Sequence, residues 1–271
     1  MSPLWRDEIG IYLAPRKIVL MRMGRGLKPR VLAETGMTFD EGDFGTWAST
    51  LGGLAKSLDG AMWQRANTRV VLSDHWARYA IVPWSNDLRT HAERLSQARI
   101  ALADVYGDVV ADWTVTLDDV APGTAQVACA IPTALVAELW EIIESRGLSV
   151  VSLQPQLIVA FNRWRSRLPA SGAWFVSIEE GSLAAARLAN GGWDRVHAVR
   201  IGADWPIELK RLQTFGRLAS ARPEDGRVFI DAPPSLRYAA GAGERDLEWL
   251  DDDGSSDGTT DKLAFMQRFR A

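Results

Sequence analysis

Three short stretches of this 271-residue sequence contain residue types that catalysis uses. The run Ser-Asp-His at 73–75 has the three types of a hydrolase triad. The adjacent Glu179 and Glu180 have the type needed for a general base. The run Gly-Gly-Leu-Ala-Lys-Ser at 52–57 is similar to a phosphate-binding loop.

Each stretch lacks something that its chemistry requires. Triad residues meet in space from separate parts of the chain, so three consecutive residues indicate a turn instead. Adjacent residues at a strand end point to opposite sides, which favours an ordinary charged hairpin turn at Glu179 and Glu180. The glycine that precedes the lysine of a phosphate-binding loop is Ala55 here, so 52–57 is predicted to lie inside a helix.

Composition and charge argue against other classes of function. The net charge of -3 gives no general attraction for nucleic acid. The histidines, His75, His91 and His197, lie far apart without the spacing of metal ligands, so we expect no metal site. Cys129 is the one cysteine and lies in an apolar run, which predicts a buried free thiol in a reducing cytosol.

No segment of the sequence predicts direct insertion into a membrane. Residues 1–8 lack the basic start and apolar core of a signal peptide. No uninterrupted apolar stretch approaches the roughly 18 residues that a membrane helix needs. We therefore expect a cytoplasmic protein that reaches a membrane only through a partner.

Hydrophobic periodicity predicts an α/β chain with two similar halves. The first half has predicted strands at 9–13, 17–23, 30–35, 69–72, 75–84, 112–117, 126–131 and 148–153, and predicted helices at 47–58, 88–106, 132–146 and 155–167. The second half has predicted strands at 174–178, 183–188, 193–200 and 228–230, and a predicted helix at 206–218. Both halves contain the series strand, strand, strand, helix, strand, which indicates a duplicated α/β unit.

The C-terminal residues have a different composition. Residues 251–258 contain no apolar residue, so this stretch is predicted to be a flexible acidic linker. Thr260 can cap a short helix that presents Leu263, Met266 and Phe269 on one face. We expect an interaction helix that docks on its own lobe, on an anionic membrane or in a partner groove.

The order of motifs in the first half resembles a known family. Arg69-Val-Val-Leu-Ser is followed by Tyr79-Ala-Ile-Val-Pro, by Ala128-Cys-Ala-Ile-Pro-Thr-Ala-Leu-Val and by Arg146-Gly-Leu before a strand. This series resembles PilM-type pilus assembly proteins and is similar to the cytoplasmic domain of GspL-type secretion proteins. The resemblance covers roughly residues 9–235. It implies an actin-like, duplicated ribonuclease H-like fold with two lobes and a small inserted subdomain.

The resemblance also implies a nucleotide site, and the sequence departs from it at each signature. Actin-like ATPases hold the metal and the attacking water with one carboxylate per lobe, beside glycine turns that admit phosphate. In the first signature, Tyr12 stands where the family has aspartate, and Pro15 removes a backbone donor from the turn. In the second, Ser177 replaces aspartate and Glu179 replaces glycine. The third, a glycine pair, is replaced by Asp-Ala-Pro-Pro-Ser at 231–235. We therefore expect a degenerate nucleotide site that takes no cofactor.

One short predicted strand has the composition of an interface. The chain has 12 tryptophans, and most are expected to pack in cores. Trp76, Arg78 and Trp84 stand apart because they flank a short strand and because Trp and Arg are the types that anchor interfaces. We predict that these three residues bind a partner at an exposed strand edge.

These observations predict the following organisation and function. Residues 1–168 form a first actin-like lobe with an inserted subdomain at about 75–131, and 169–250 form a second, shortened lobe. The resemblance implies a non-enzymatic adaptor of a type IV pilus or type II secretion-like assembly. This adaptor binds a cytoplasmic segment of a bitopic, PilN-like inner-membrane protein, and homo-oligomers stay possible. The alternative is an ATPase or sugar-kinase-like enzyme of the same fold with an altered nucleotide site.

Overall fold

The computed structural model describes residues 7–24, 30–39, 46–202, 204–218, 227–233, 236 and 247–250. The linker and helix predicted at 251–271, and Pro234 and Ser235 of the third signature, lie outside the described residues. No helix in this described part of the chain is long and apolar enough to span a membrane.

The described residues form helices and strands in an alternating α/β order. The strands are β1 (Glu8–Ala14), β2 (Lys17–Met23), β3 (Val31–Thr38), β4 (Asn67–Leu72), β5 (Arg78–Val82), β6 (Trp113–Leu117), β7 (Gln126–Pro132), β8 (Ser149–Pro155), β9 (Ala173–Glu179), β10 (Ser182–Ala189), β11 (Gly192–Arg200), β12 (Arg227–Asp231) and β13 (Leu247–Trp249). The helices are α1 (Ala48–Ser57), α2 (His91–Tyr106), α3 (Thr133–Glu144), α4 (Gln156–Trp164) and α5 (Trp205–Leu218), with 3₁₀ turns at Ala61–Trp63 and Gly107–Asp112.

By their contacts, the described residues group into two compact units. The first unit contains residues up to 73 together with 132–159, and the second contains 74–131 together with the described residues from 160 onwards. The domain boundaries predicted from the sequence follow the order of the elements instead, with 75–131 inside the first lobe, and they stay a prediction.

The first unit is built on a five-stranded sheet with the order β3-β2-β1-β4-β8. β1 is antiparallel to β2 and parallel to β4. Helix α1 packs on β2 so closely that a Cβ at Gly53 would lie 2.5 Å from the Phe39 ring and 3.1 Å from Ile18. The run 52–57 is thus part of a helix, as predicted, and its glycine serves close packing on the sheet.

The second unit repeats this sheet. Its order is β11-β10-β9-β12-β13, with the central β9 antiparallel to β10 and parallel to β12. Helix α5 covers one face, where Trp205 and Leu209 pack against Trp174, Val176 and Ile178 of β9. The matching strand orders and directions of the two sheets confirm the internal duplication predicted from the sequence.

A second, smaller sheet in this unit has the order β5-β7-β6, and it corresponds to the predicted inserted subdomain. Helix α2 packs against it through Ala98 and Leu102, which meet Ala80, Val82 and Ala128 of the sheet. The helix begins later than predicted, at His91, because Thr90 and Glu93 form a capping box.

Two further details of the sequence-based assignment are corrected. The strand predicted at 75–84 is shortened to β5, because residues 74–76 form a turn. The Arg78 guanidinium stabilises this turn by donating to the carbonyl oxygens of His75, at 3.0 Å, and Ala77, at 2.7 Å. The short strand β13, which lies at the outer edge of the second sheet, was not predicted.

Candidate functional site

The β1–β2 hairpin occupies the place of the first nucleotide signature. Tyr12 lies on β1 with only 8% of its surface exposed, and it packs with Met21 of β2, Val71 of β4 and Val159 of α4. A side chain in the position of the family's metal-binding carboxylate is here part of an apolar core.

The turn of this hairpin is held by its carbonyl groups. Pro15 is buried, and its carbonyl oxygen accepts a hydrogen bond from the Thr50 hydroxyl at 3.4 Å. The carbonyl oxygen of Arg16 accepts from the Phe39 backbone N–H at 2.9 Å. Because proline has no N–H, this turn offers one donor fewer to an anion than a glycine turn does.

The β9–β10 hairpin occupies the place of the second signature. Ser177 and Glu179 lie two residues apart on β9 and therefore on the same face of the sheet. Both are buried, at 1% and 5% exposure. The Ser177 hydroxyl oxygen has no hydrogen-bond partner within the described residues.

The Glu179 carboxylate is bound to the turn that precedes β5. One of its oxygens accepts the backbone N–H of Asp74 at 2.9 Å. Asp74 is itself buried, and its carboxylate accepts a hydrogen bond from the Tyr79 hydroxyl. The residue that replaces the family's turn glycine therefore holds a buried polar cluster of Glu179, Asp74 and Tyr79.

Burial changes the proton affinities of the groups around this cluster. Desolvation raises the pKa of the Tyr79 hydroxyl well above its ordinary value, and the neighbouring Asp74 carboxylate raises it further. Burial likewise raises the pKa of the Cys129 thiol, which lies opposite Tyr79 in the β5–β7 ladder. The pKa of His75 is lowered to about 4 by desolvation and by the nearby Arg200 and Arg78 guanidinium groups. All three groups are consequently neutral near pH 7.

The third signature also serves packing within its unit. Asp231 ends β12 next to Ser177 in the parallel register, and it is 7% exposed. Its carboxylate accepts a hydrogen bond from the Trp164 indole N–H at 2.9 Å. The Arg163 and Arg167 guanidinium groups lie 4.4 Å and 5.1 Å from the centre of the Trp164 ring. Asp231 thus anchors a tryptophan of α4.

The stretches that carry triad-like and metal-ligating residue types have ordinary structural roles. Residues 73–75 lie in a buried turn, as predicted. Within the described residues, no group of three or more His, Cys, Asp or Glu side chains is placed to hold a metal ion. Cys129 is buried and free.

The three residues predicted to bind a partner differ in exposure. Trp76 is buried, with 9% of its surface exposed, and its ring meets the His75 ring edge-on at 6.0 Å. Arg78 and Trp84 are half-buried, and the Trp84 indole N–H donates to Asn86 at 3.2 Å. β5 is an end strand of its sheet, but it also contacts β11. Partner binding through these residues stays a prediction.

Two neighbours of these positions were not found by reasoning from the sequence. Tyr79, which binds Asp74, looks in the sequence like an ordinary strand residue. Arg200 lies close to Arg78 and His75 although 122 residues separate the two arginines in sequence, by their numbering. No local pattern signals such a contact, because it depends on which strands lie side by side.

Comparisons with known proteins agree on the fold. No protein-family model matches the chain, and no curated protein matches its sequence. A chain of a PilM–PilN type IV pilus biogenesis complex is 16% identical, with 90% of this chain and 88% of that chain covered and a TM-score of 0.62. The cytoplasmic domain of EpsL, an inner-membrane component of the type II secretion system of Vibrio cholerae, is 12% identical, with 98% and 95% covered and a TM-score of 0.57.

A third structure links these proteins to a named fold. It is a Bacteroides thetaiotaomicron protein of unknown function that is described as having an actin-like ATPase fold. It is 10% identical to this chain, with 91% of each chain covered and a TM-score of 0.62. The chain therefore has the predicted actin-like fold, in a form similar to that of the PilM–PilN complex and of the EpsL cytoplasmic domain.

Proposed function

We propose that this chain is a non-enzymatic, cytoplasmic scaffold of a type IV pilus or type II secretion-like assembly at an inner membrane. In this role it binds a cytoplasmic segment of a bitopic, PilN-like membrane protein. The proposal combines the fold with the side chains that have replaced the nucleotide contacts.

The single observation that carries the non-enzymatic part is the position of Glu179. An actin-like ATPase needs this turn open to a phosphate group. Here a buried carboxylate fills the turn and binds the Asp74 N–H at 2.9 Å. A phosphate would meet negative charge at this point, and displacing Glu179 would leave the Asp74 N–H without its acceptor.

The first hairpin supports the same proposal independently. A metal-bound nucleotide requires a carboxylate at the position of Tyr12, and the tyrosine side chain is instead packed among Met21 and Val71. Substituting one residue would therefore not recreate the site, because Pro15 also removes a backbone donor from the turn.

The proposed partner follows from the settings of the similar structures. One of them belongs to a PilM–PilN complex, and another is the cytoplasmic domain of an inner-membrane secretion component. By analogy, a bitopic partner of this chain would supply the membrane anchor of the assembly.

A binding measurement tests this function. The full chain is titrated with a peptide that covers the cytoplasmic N-terminal segment of the bitopic inner-membrane protein encoded next to it. We expect saturable one-to-one binding, with a scrambled peptide of the same composition as the control. Equal binding of the scrambled peptide, or absence of binding to the native one, would contradict the scaffold role.

A further inference from the structure

The second unit brings two arginines together at the place where β5 contacts β11. Arg78 is the first residue of β5, and Arg200 is the last residue of β11. The two guanidinium groups are close enough for Arg200 to lower the pKa of Arg78. Both also act on His75, which lies in the turn before β5.

Arg78 is held in one orientation by its own turn. One terminal nitrogen of its guanidinium group, Nη1, donates to the carbonyl oxygens of His75 and Ala77. These bonds leave the Nε and Nη2 side of the fork available, since the described residues give those two nitrogens no acceptor. A guanidinium group fixed in this way loses little side-chain entropy when it binds a ligand.

Arg200 presents its charge from the neighbouring strand. It lies opposite Ser182 in the β10–β11 ladder, at the same end of the sheet as Glu179. Its side chain is exposed, and within the described part of the chain neither Arg200 nor Arg78 forms an ion pair with a carboxylate. Other arginines of the chain do pair with an acid, as in Arg22–Asp7 and Arg187–Asp194.

The electrostatics of this arrangement favour a bound anion. Two like charges held side by side repel each other, and a half-buried guanidinium group is less well hydrated than a free one. His75 is neutral near pH 7, so it adds no third charge and retains a neutral ring beside the pair. An anion between Arg78 and Arg200 would remove the repulsion and satisfy the free side of the Arg78 fork.

We propose that Arg78 and Arg200 form a binding site for a side-chain carboxylate of an acidic peptide segment of the partner protein. A planar carboxylate matches the two-donor side of a guanidinium group, and its single charge is balanced by the pair. A phosphate dianion fits less well because the Glu179 and Asp74 carboxylates lie at the same end of the unit. The identity of the partner rests on the proposed scaffold function, whereas the carboxylate chemistry rests on the two arginines.

Fluorescence anisotropy of a labelled glutamate-rich peptide against the full chain tests the site, with a glutamine-for-glutamate peptide as the control probe. We expect the glutamate peptide to bind more tightly than the glutamine peptide, and its binding to weaken as salt is raised. Arg78→Gln and Arg200→Gln should each weaken binding about tenfold, as expected for loss of one charge-assisted contact. Arg78→Lys should recover only part of the affinity, because it keeps the charge without the fork.

Matched controls separate the site from general charge attraction. Arg211→Gln removes an exposed arginine of α5 that pairs with Glu208, and it should bind the glutamate peptide like the parent. Melting temperatures of all variants show whether they remain folded. Parent-like binding by folded Arg78→Gln and Arg200→Gln variants would overturn the proposal, and so would equal losses in the Arg211→Gln control.

Two other occupants are outcomes of the same experiment. If inorganic phosphate displaces the peptide at far lower concentration than acetate does, the site belongs to a phosphate ligand and the peptide assignment is wrong. If the full chain with Asp251, Asp252 and Asp253 changed to Asn binds the glutamate peptide at least about tenfold more tightly, the chain's own acidic residues fill the site and the partner assignment is wrong. Either result leaves the scaffold function itself untouched, because that function is tested with the native membrane-protein segment.

Discussion

At the scale of single residues, the replaced signature positions have taken on roles in folding. Tyr12 fills a core, Asp231 anchors Trp164, and Glu179 binds the N–H of a buried turn. A buried N–H without an acceptor costs more free energy than a typical hydrogen bond contributes. Glu179 therefore has a structural role that does not depend on any catalysis.

Substituting Glu179 tests this structural role. Glu179→Ala leaves the Asp74 N–H without its acceptor and should lower the free energy of unfolding by about 1–3 kcal/mol in urea. Glu180→Ala is the matched control, because Glu180 is exposed on the same turn and should change stability by less than about 0.5 kcal/mol. Equal stability of the two variants would show that the Glu179 contact contributes little.

His75 should make stability depend on pH. Its pKa is about 4 in the folded chain and 6.5 in an ordinary environment, so between these values the unfolded chain binds more protons. This contribution to stability is complete above pH 6.5 and is lost as the pH falls towards about 4. Urea unfolding of parent and His75→Gln across this range should give a flatter profile for the variant.

The control for this prediction is another histidine. His91→Gln changes the exposed first residue of α2 and should keep the parental profile. If His75→Gln lost stability on acidification as steeply as the parent does, the pH dependence would have to come from other groups.

At the scale of elements, the paired strands β2 and β3 differ sharply in how much they contribute. β2 lies inside the first sheet, with Leu20 and Met21 fully buried. β3 is the edge strand, and most of its residues are exposed, including Leu32 at 58%. The same residue type should therefore have very different energetic weight on the two paired strands.

A matched pair of substitutions measures this difference. Leu20→Ala removes a fully buried side chain and should cost about 2–5 kcal/mol of unfolding free energy. Leu32→Ala removes a largely exposed one and should cost less than about 0.5 kcal/mol. Comparable losses in urea unfolding would mean that β3 is covered in solution, for example by another copy of the chain.

At the scale of the whole molecule, two copies of one sheet plan carry different additions. The first unit adds α1 and α3 to its sheet, whereas the second adds α5 and the small β5-β7-β6 sheet with α2. In each unit the central hairpin, β1–β2 or β9–β10, is the one that would face a nucleotide in an ATPase of this fold. Both hairpins have lost the residues for that task.

The chain should consequently fail to bind ATP productively. Titration calorimetry with magnesium and ATP should show no saturable heat, because Tyr12, Pro15 and Glu179 affect both hairpins. The same preparation must bind its peptide partner, which shows that the protein is folded. Saturable ATP binding in the low-micromolar range, or ATP hydrolysis above background, would favour the alternative of an enzyme with an altered site.

Much of this molecule could be predicted from the sequence because the signals are local. The alternation of apolar residues placed β2 at Lys17–Met23, and the order of elements predicted the duplicated fold. The replacement of signature residues at 12, 177 and 179 was also visible, since a residue type is a property of the sequence alone. Local patterns missed β13, because three residues are too few to show a period.

Only the tertiary structure decided what the replaced and interface residues do. The Glu179–Asp74 contact joins residues 105 positions apart, and Arg78 meets Arg200 only because β5 contacts β11. Trp76 has the composition of an interface anchor, yet the structure buries it. Strand periodicity specifies which face a side chain occupies, but strand order across a sheet depends on the total packing of distant segments. Residue types and element order therefore belong to the sequence, whereas the polar cluster and the arginine pair arise from the fold.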